Sequence, residues 1–209
     1  MMGTLNKKMA GASAALALCM AGGAAHATFL TYNFASHTGD LGTQETYTSN
    51  GVSITAYGFE GAFDSTRLWG KNGSGDEKGL GIKDENDHEI DTHDFVQLNM
   101  SNLWAQNPVS LSLSIGSVQS QESWRIYGSN VLGLLGSLLL SGTTDAPASF
   151  GLTPPTGYNY LGVRAGSGDV LLSSLSANTS ALPEPGSLAL LASGLFAVVS
   201  MGRRRRPHS

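Results

Sequence analysis

Residues 84–94 read Asp-Glu-Asn-Asp-His-Glu-Ile-Asp-Thr-His-Asp, six carboxylates and two imidazoles in eleven positions. Like charges at this density repel unless water or a cation neutralises them. A calcium ion would do so with oxygen ligands at about 2.3–2.6 Å. Asp84, Asn86, Asp87, Glu89, Asp91 and Asp94 are the donors the run offers. A solvated acidic loop is the simpler alternative. The run lacks the central glycine and the twelfth-position glutamate of an EF-hand. His88 and His93 with a carboxylate could hold zinc, but their spacing is not His-Glu-x-x-His, which disfavours zinc-peptidase chemistry. The sequence implies no cofactor beyond a possible structural calcium.

Carbohydrate recognition needs an aromatic face for the sugar ring and polar groups for its hydroxyls. Trp69 lies beside Arg67, Lys71 and Asn72 in a turn-rich stretch, and Trp104 lies between Asn102 and Asn107. Trp69, Trp104, Arg67 and Asn72 are therefore candidate glycan contacts. The plainer reading of both tryptophans is a core or inter-sheet aromatic, and Trp124, alternating with Arg125, reads as core. A groove holding Trp69 or Trp104 would mark a binding module; burial of both would not. Catalysis finds little support. The acids cluster in one loop, whereas glycoside hydrolysis needs opposed carboxyls about 5–9.5 Å apart. There is no Gly-x-Ser-x-Gly elbow and no Gly-rich nucleotide loop before a helix.

The two ends of the chain say where these residues are delivered. Lys7 and Lys8 precede an uncharged Ala- and Leu-rich stretch from Met9 to Ala25, closed by Ala25-His26-Ala27. These are the parts of a secretory signal peptide. Residues 1–27 are expected to engage the secretion machinery and to be removed by signal peptidase. Cys19 follows Leu18, a poor match to a lipoprotein signal. With Cys19 in the leader, the mature chain has no disulfide or thiolate chemistry. At the other end, Pro183-Glu184-Pro185-Gly186 breaks regular structure. Residues 187–202, SLALLASGLFAVVSMG, carry no charge, and Arg203, Arg204, Arg205 and Arg206 follow. As a helix the run reaches about 24 Å, short of the ~30 Å hydrocarbon core, and snorkelling arginine stems close part of the gap. The cations belong on the cytoplasmic side. The expected precursor is thus exported and membrane-anchored, its mature form at the cell surface or outside.

Between the ends, residues 28–182 hold six cations against fifteen carboxylates, about −9, while the whole chain is −4. Such a surface is unsuited to nucleic acid, which needs phosphate-neutralising cations. The strand signal is strong. Val109, Leu111, Leu113 and Ile115 alternate with Ser110, Ser112 and Ser114. Val52, Ile54 and Ala56 alternate likewise, as do Trp124, Ile126 and Gly128 with Arg125 and Tyr127. Phe95, Gln97 and Asn99 stand opposite Val96, Leu98 and Met100. Residues 29–34, 158–163 and 170–175 are further strands; 131–140, interrupted by Gly133 and Gly136, reads as a loop and a strand. Turn residues such as Asn50-Gly51 and Asn72-Gly73 separate them. Eight or nine short strands without an amphipathic helix predict an all-β fold, a two-sheet antiparallel β-sandwich of jelly-roll type over residues 28–180. The signal peptide (1–27) and a tail (181–209, with transmembrane helix 187–202 and basic end 203–206) flank it.

Pro183-Glu184-Pro185, the short apolar helix and the arginine cluster resemble the PEP-CTERM sorting tail of exosortase-processed proteins, also catalogued as an ice-binding protein C-terminal domain. The resemblance covers Pro183 to Ser209. It implies that Pro183, Glu184, Pro185 and Arg203 to Arg206 are recognition residues for an exosortase-type processing enzyme in the membrane, and it says nothing about ice. Within the body, Gly79-Leu80-Gly81, Glu89-Ile90-Asp91, the strand at Phe95–Met100, the run Trp124 to Ser129 and the run Gly168 to Leu172 are similar to galactose-binding-like jelly rolls. The resulting expectation is a non-enzymatic secreted or surface protein associated with exopolysaccharide or biofilm matrix. The alternatives are a carbohydrate-binding module with a calcium-stabilised loop and, less favoured, a glycan-acting hydrolase.

Overall fold

Asn50 and Gly51 both take positive φ, 48° and 79°, the signature of a two-residue hairpin turn whose twist matches its strands. The turn brings Ser49 opposite Val52 and zips β3 (Gln44–Ser49) to β4 (Val52–Glu60). The computed structural model describes residues 27–83, 86–144, 146–150 and 157–180. The leader to residue 26, Asp84, Glu85 and the tail from residue 181, with its Pro-Glu-Pro and arginines, lie outside the described residues.

Two antiparallel sheets of seven strands each are formed by the described residues. The first runs β12 (Ala146–Phe150), β9 (Pro108–Gly116), β14 (Leu171–Thr179), β7 (Lys78–Ile82), β6 (Leu68–Asn72) and β2 (Gly39–Gly42), with β1 (Phe29–Asn33) also paired to β14. The second runs β11 (Ser137–Gly142), β10 (Ser123–Ser129), β13 (Tyr160–Ser167), β8 (Asp94–Asn99), β4 and β3, with β5 (Ser65–Thr66) on β4. This is the expected all-β sandwich, jelly-roll-like, with more strands than the eight or nine read from the sequence. Thr28–Ser180 forms one compact unit.

The alternation read in residues 109–115 is used as expected from Ser110 on, whereas Val109, placed on the core face by its spacing, is 56% exposed near the start of β9. Leu111, Leu113 and Ile115 are buried, and the serines between them are not. They meet Leu30, Leu80 and Leu175 of the same sheet and Ile54, Leu98, Ile126 and Val163 of the other in one core. Each such side chain contributes about 1.5–3 kcal/mol by leaving water, which lets a body without cysteine hold together. Trp124 is core, 4% exposed, and its Nε1 donates to the Thr144 carbonyl at 3.0 Å.

β8 differs from the one-sided pattern expected of it, because both faces are buried. Phe95 stacks on Phe59 with centroids 5.0 Å apart. Gln97 is fully buried and serves the 131–134 loop: its Nε2 donates to the Val131 and Leu134 carbonyls, and its Oε1 accepts from the Gly133 amide at 2.8 Å. The loop thus covers the second face of β8 and needs an amide side chain beneath it. A single four-residue helix, α1 (Ser101–Trp104), follows β8. Among the described residues no helix is long and apolar enough to cross a membrane.

Candidate functional site

Asn86, Asp87 and His93 are exposed, but the stretch around His88 and Glu89 is not. It folds back on the outer face of β6 and β7, where Gly81 offers no side chain. A Cβ on Gly81 would come within 2.0 Å of the His88 carbonyl oxygen. The His88 ring stacks on Trp69, with centroids 4.2 Å apart, and its Nδ1 is 2.8 Å from the Lys83 carbonyl. Glu89 is buried and receives Lys71 and the Ser117 hydroxyl, the latter at 2.8 Å. Burial pushes the Glu89 carboxyl up, against the pull of Lys71 and Ser117.

The other candidate calcium donors are placed as follows. Asp87 Oδ1 accepts the Glu89 amide at 3.1 Å. Asp91 Oδ1 accepts the amides of His93 and Asp94, at 2.5 and 2.9 Å. Asp94 is buried at the start of β8, Asn86 is exposed, and Asp84 lies outside the described residues. Among the described residues no three His, Cys, Asp or Glu side chains converge as a metal-binding group. His88 and His93 are not brought together: the first faces Trp69, and the second is 83% exposed beside Asp91. The sequence reading missed Asp169 and Glu122. Burial, then the charges of Asp87, Glu122, Glu89 and Asp91, push the Asp169 carboxyl up to about 6.

The candidate glycan contacts fall in two places. Trp69 is half-buried with one face against His88. Arg67 is bound to Asp40, Nε to Oδ1 at 2.8 Å, and Lys83 joins the same carboxylate at 2.7 Å. The Arg67 hydrogen bond, then that from Lys83, holds the Asp40 carboxyl far below its usual range. Asn72 is exposed at the end of β6. Trp104 lies apart from these on α1, half-buried, with Nε1 donating to the Tyr158 carbonyl at 2.7 Å. A depression of about 330 Å³ between the β3–β4 turn and α1 is lined by Ser53 and Gln106, and Trp104 does not line it.

A larger cleft, about 460 Å³, opens where β1 at the rim of one sheet passes β3 at the rim of the other. Thr31, Tyr32 and Asn33 of β1 line one wall, and Thr46, Tyr47 and Thr48 of β3 the opposite wall. Ser36 and His37, from the 3-10 turn that follows β1, close the end. The strands are tied at the other end, where the Thr31 amide donates to Ser49 Oγ at 3.0 Å and Asn50 Nδ2 donates to the Phe29 carbonyl at 3.2 Å. The turn is seated by Gly70, where a Cβ would meet the His37 carbonyl oxygen at 2.0 Å. Phe34 meets Tyr47 edge-on at 4.9 Å, and His37 stacks on Tyr47 at 5.2 Å. His37 Nδ1 lies 2.8 Å from Glu45.

Tyr32 and Tyr47 are 1% and 4% exposed, and their hydroxyls are buried with no hydrogen-bond partner among the described residues. Burial pushes the Tyr32 phenol up to about 12; burial and then the Glu45 charge push that of Tyr47 higher still. Both are neutral O–H groups, able to donate and accept. An unmatched buried hydroxyl costs about 1–3 kcal/mol, so two in residues of the cleft walls call for a reason. The sequence carried a signal for this place in two parallel triplets, Thr31-Tyr32-Asn33 and Thr46-Tyr47-Thr48. Each sets a tyrosine inward where phenylalanine would pack without a polar group to satisfy.

The arrangement defines a class: a jelly-roll-like sandwich with a polar cleft and no converging metal-binding group among its described residues. Comparisons with protein-family models, with curated proteins and with solved structures returned no match.

Proposed function

We propose that this body is a carbohydrate-binding module whose sugar site is the cleft between β1 and β3. The observation that carries it is a cleft lined by Thr, Asn, Ser and His whose walls also hold Tyr32 and Tyr47, the two residues with buried, unmatched hydroxyls. A bound sugar would part the walls and reach the two neutral phenols with vicinal hydroxyls that both donate and accept. Glu45, a carboxylate beside the cleft, is paired with His37; binding, not bond cleavage, is the chemistry these groups support. The ends of the sequence supply the setting: export by residues 1–27, then anchoring and processing at Pro183-Glu184-Pro185 by an exosortase-type enzyme, leaving the module at the surface in contact with extracellular polysaccharide.

The test is the double variant Tyr32→Phe/Tyr47→Phe, titrated calorimetrically with disaccharides of glucose, galactose and mannose. Neither hydroxyl has a partner to lose among the described residues, so the variant keeps or slightly raises its Tm. Its affinity for whichever disaccharide the natural protein binds drops by about tenfold, the effect of losing ~1.4 kcal/mol. Unchanged affinity in the variant, or no disaccharide bound by the natural chain, removes the cleft as a sugar site.

A further inference from the structure

Two cleft residues also belong to a second surface. Thr31 and Asn33 point away from the core, on the outer face of the first sheet, where β9, β14 and β1 lie side by side. Across β9 and β14, Ser114 stands opposite Ser174 and Ser112 opposite Ser176. On β1 the same two rows continue to Asn33 and Thr31. A third row joins Ser110 to Asn178, whose Nδ2 donates to Ser110 Oγ at 2.8 Å, and ends on Phe29, 59% exposed.

With strands ~4.8 Å apart and same-face residues ~6.8 Å apart, three rows on three strands make a patch of roughly 10 by 14 Å. None of its nine side chains is ionisable, although the body as a whole is about −9. Its small hydroxyls and amides make it flat, its one aromatic stands at a corner, and it runs into the cleft through Thr31 and Asn33.

We infer that the cleft and this face form one continuous track for a neutral, linear polysaccharide, the cleft holding one sugar unit and the serine face the units that follow. The inference rests on the proposed sugar site and names its ligand class. A neutral glycan suits the surface because its hydroxyls match Ser, Thr and Asn, and its C–H faces match Phe29. An anionic polymer would meet no cation here and would be repelled by the body's charge. Each added unit on the face contributes through the same attachment, so affinity climbs with chain length until the track is full.

The experiment uses the full chain and measures binding to glucose, galactose and mannose oligomers from disaccharide to octasaccharide, with gel retardation in β-glucan, galactomannan and alginate. The variants are Ser112→Glu/Ser176→Glu, which places charge on the face without touching the core, and Phe29→Ala, whose exposed ring removes no core contact. Expected are retardation by a neutral polymer and not by alginate, and about tenfold tighter octasaccharide than disaccharide binding, as for linked weak contacts. The glutamate pair abolishes that gain and leaves disaccharide binding intact, and Phe29→Ala reduces it. Length-dependent binding that survives both variants, or retardation by alginate alone, overturns the track while leaving the cleft standing. Loss of disaccharide binding in Tyr32→Phe/Tyr47→Phe, with the gain on length unchanged by the face variants, does the same. Absence of any sugar binding by the natural chain overturns both.

Discussion

Asp169 shows how far a single carboxyl can be moved by neighbours distant in sequence. Burial and four other carboxylates raise it from 3.8 to about 6. The folded protein therefore holds this proton more tightly than the unfolded chain. The associated stability is complete below about 3.8 and is lost as pH rises through about 6. At pH 7 the ionised group is a liability, so Asp169→Asn is expected to raise the Tm there and to leave it unchanged near pH 4. Discounted for solvent screening to ~1 kcal/mol, the gain corresponds to about 2–4 °C in a thermal melt. A Tm that falls at pH 7 would contradict this. Calcium enters the same measurement: if millimolar calcium stabilises the natural protein at pH 7 and not the variant, an ion bridges these carboxylates. At this scale the sequence was only partly legible. Glu89, a candidate metal donor by sequence, is bound by Lys71, eighteen residues earlier on a strand that only the fold sets beneath it. The tyrosine hydroxyls of the cleft were equally hidden, because nothing local tells a matched phenol from an unmatched one.

Between the residue and the fold, the acidic loop behaves as a strap on the outer face of β6 and β7. Gly81 is the position that lets it lie flat. Gly81→Ala forces its Cβ against the His88 carbonyl and is expected to cost about 1–3 kcal/mol, the usual penalty of overpacking. The His88 ring should then leave Trp69, and a change in tryptophan emission would report it; unchanged emission and Tm would show that the strap is held elsewhere. Strand alternation was readable where a strand has one wet face, as at 110–115, since period two then maps directly onto inside and outside. It failed at 95–100, where the 131–134 loop covers the second face and Gln97 is buried as that loop's hydrogen-bond partner. The strap was legible only in part for the same reason: Asn86, Asp87 and His93 are exposed as a run of acids suggests, while Glu89 is buried against a sheet whose glycine only the fold sets beneath it.

At the scale of the whole chain, the sandwich was legible from patterning and turns, while strand count and sheet order depended on pairings far apart in sequence. The proposed processing has its own measurement. Replacing Pro183, Glu184 and Pro185 with alanines in the native host should abolish a lighter, released species seen by intact mass; release with unchanged mass would refute cutting near that motif. The body's last strand bears on what such a tail would transmit. β14 is bonded to β9 on one flank and to β1 and β7 on the other, and the Thr179 amide donates to the Thr28 carbonyl at 2.9 Å. A pull on the chain beyond residue 180 therefore runs lengthwise down a strand clamped on both sides. Its hydrogen bonds are loaded in shear and must yield together, unlike those of a peeled edge, so a sandwich tethered through β14 would resist drag from a ligand held at its rim.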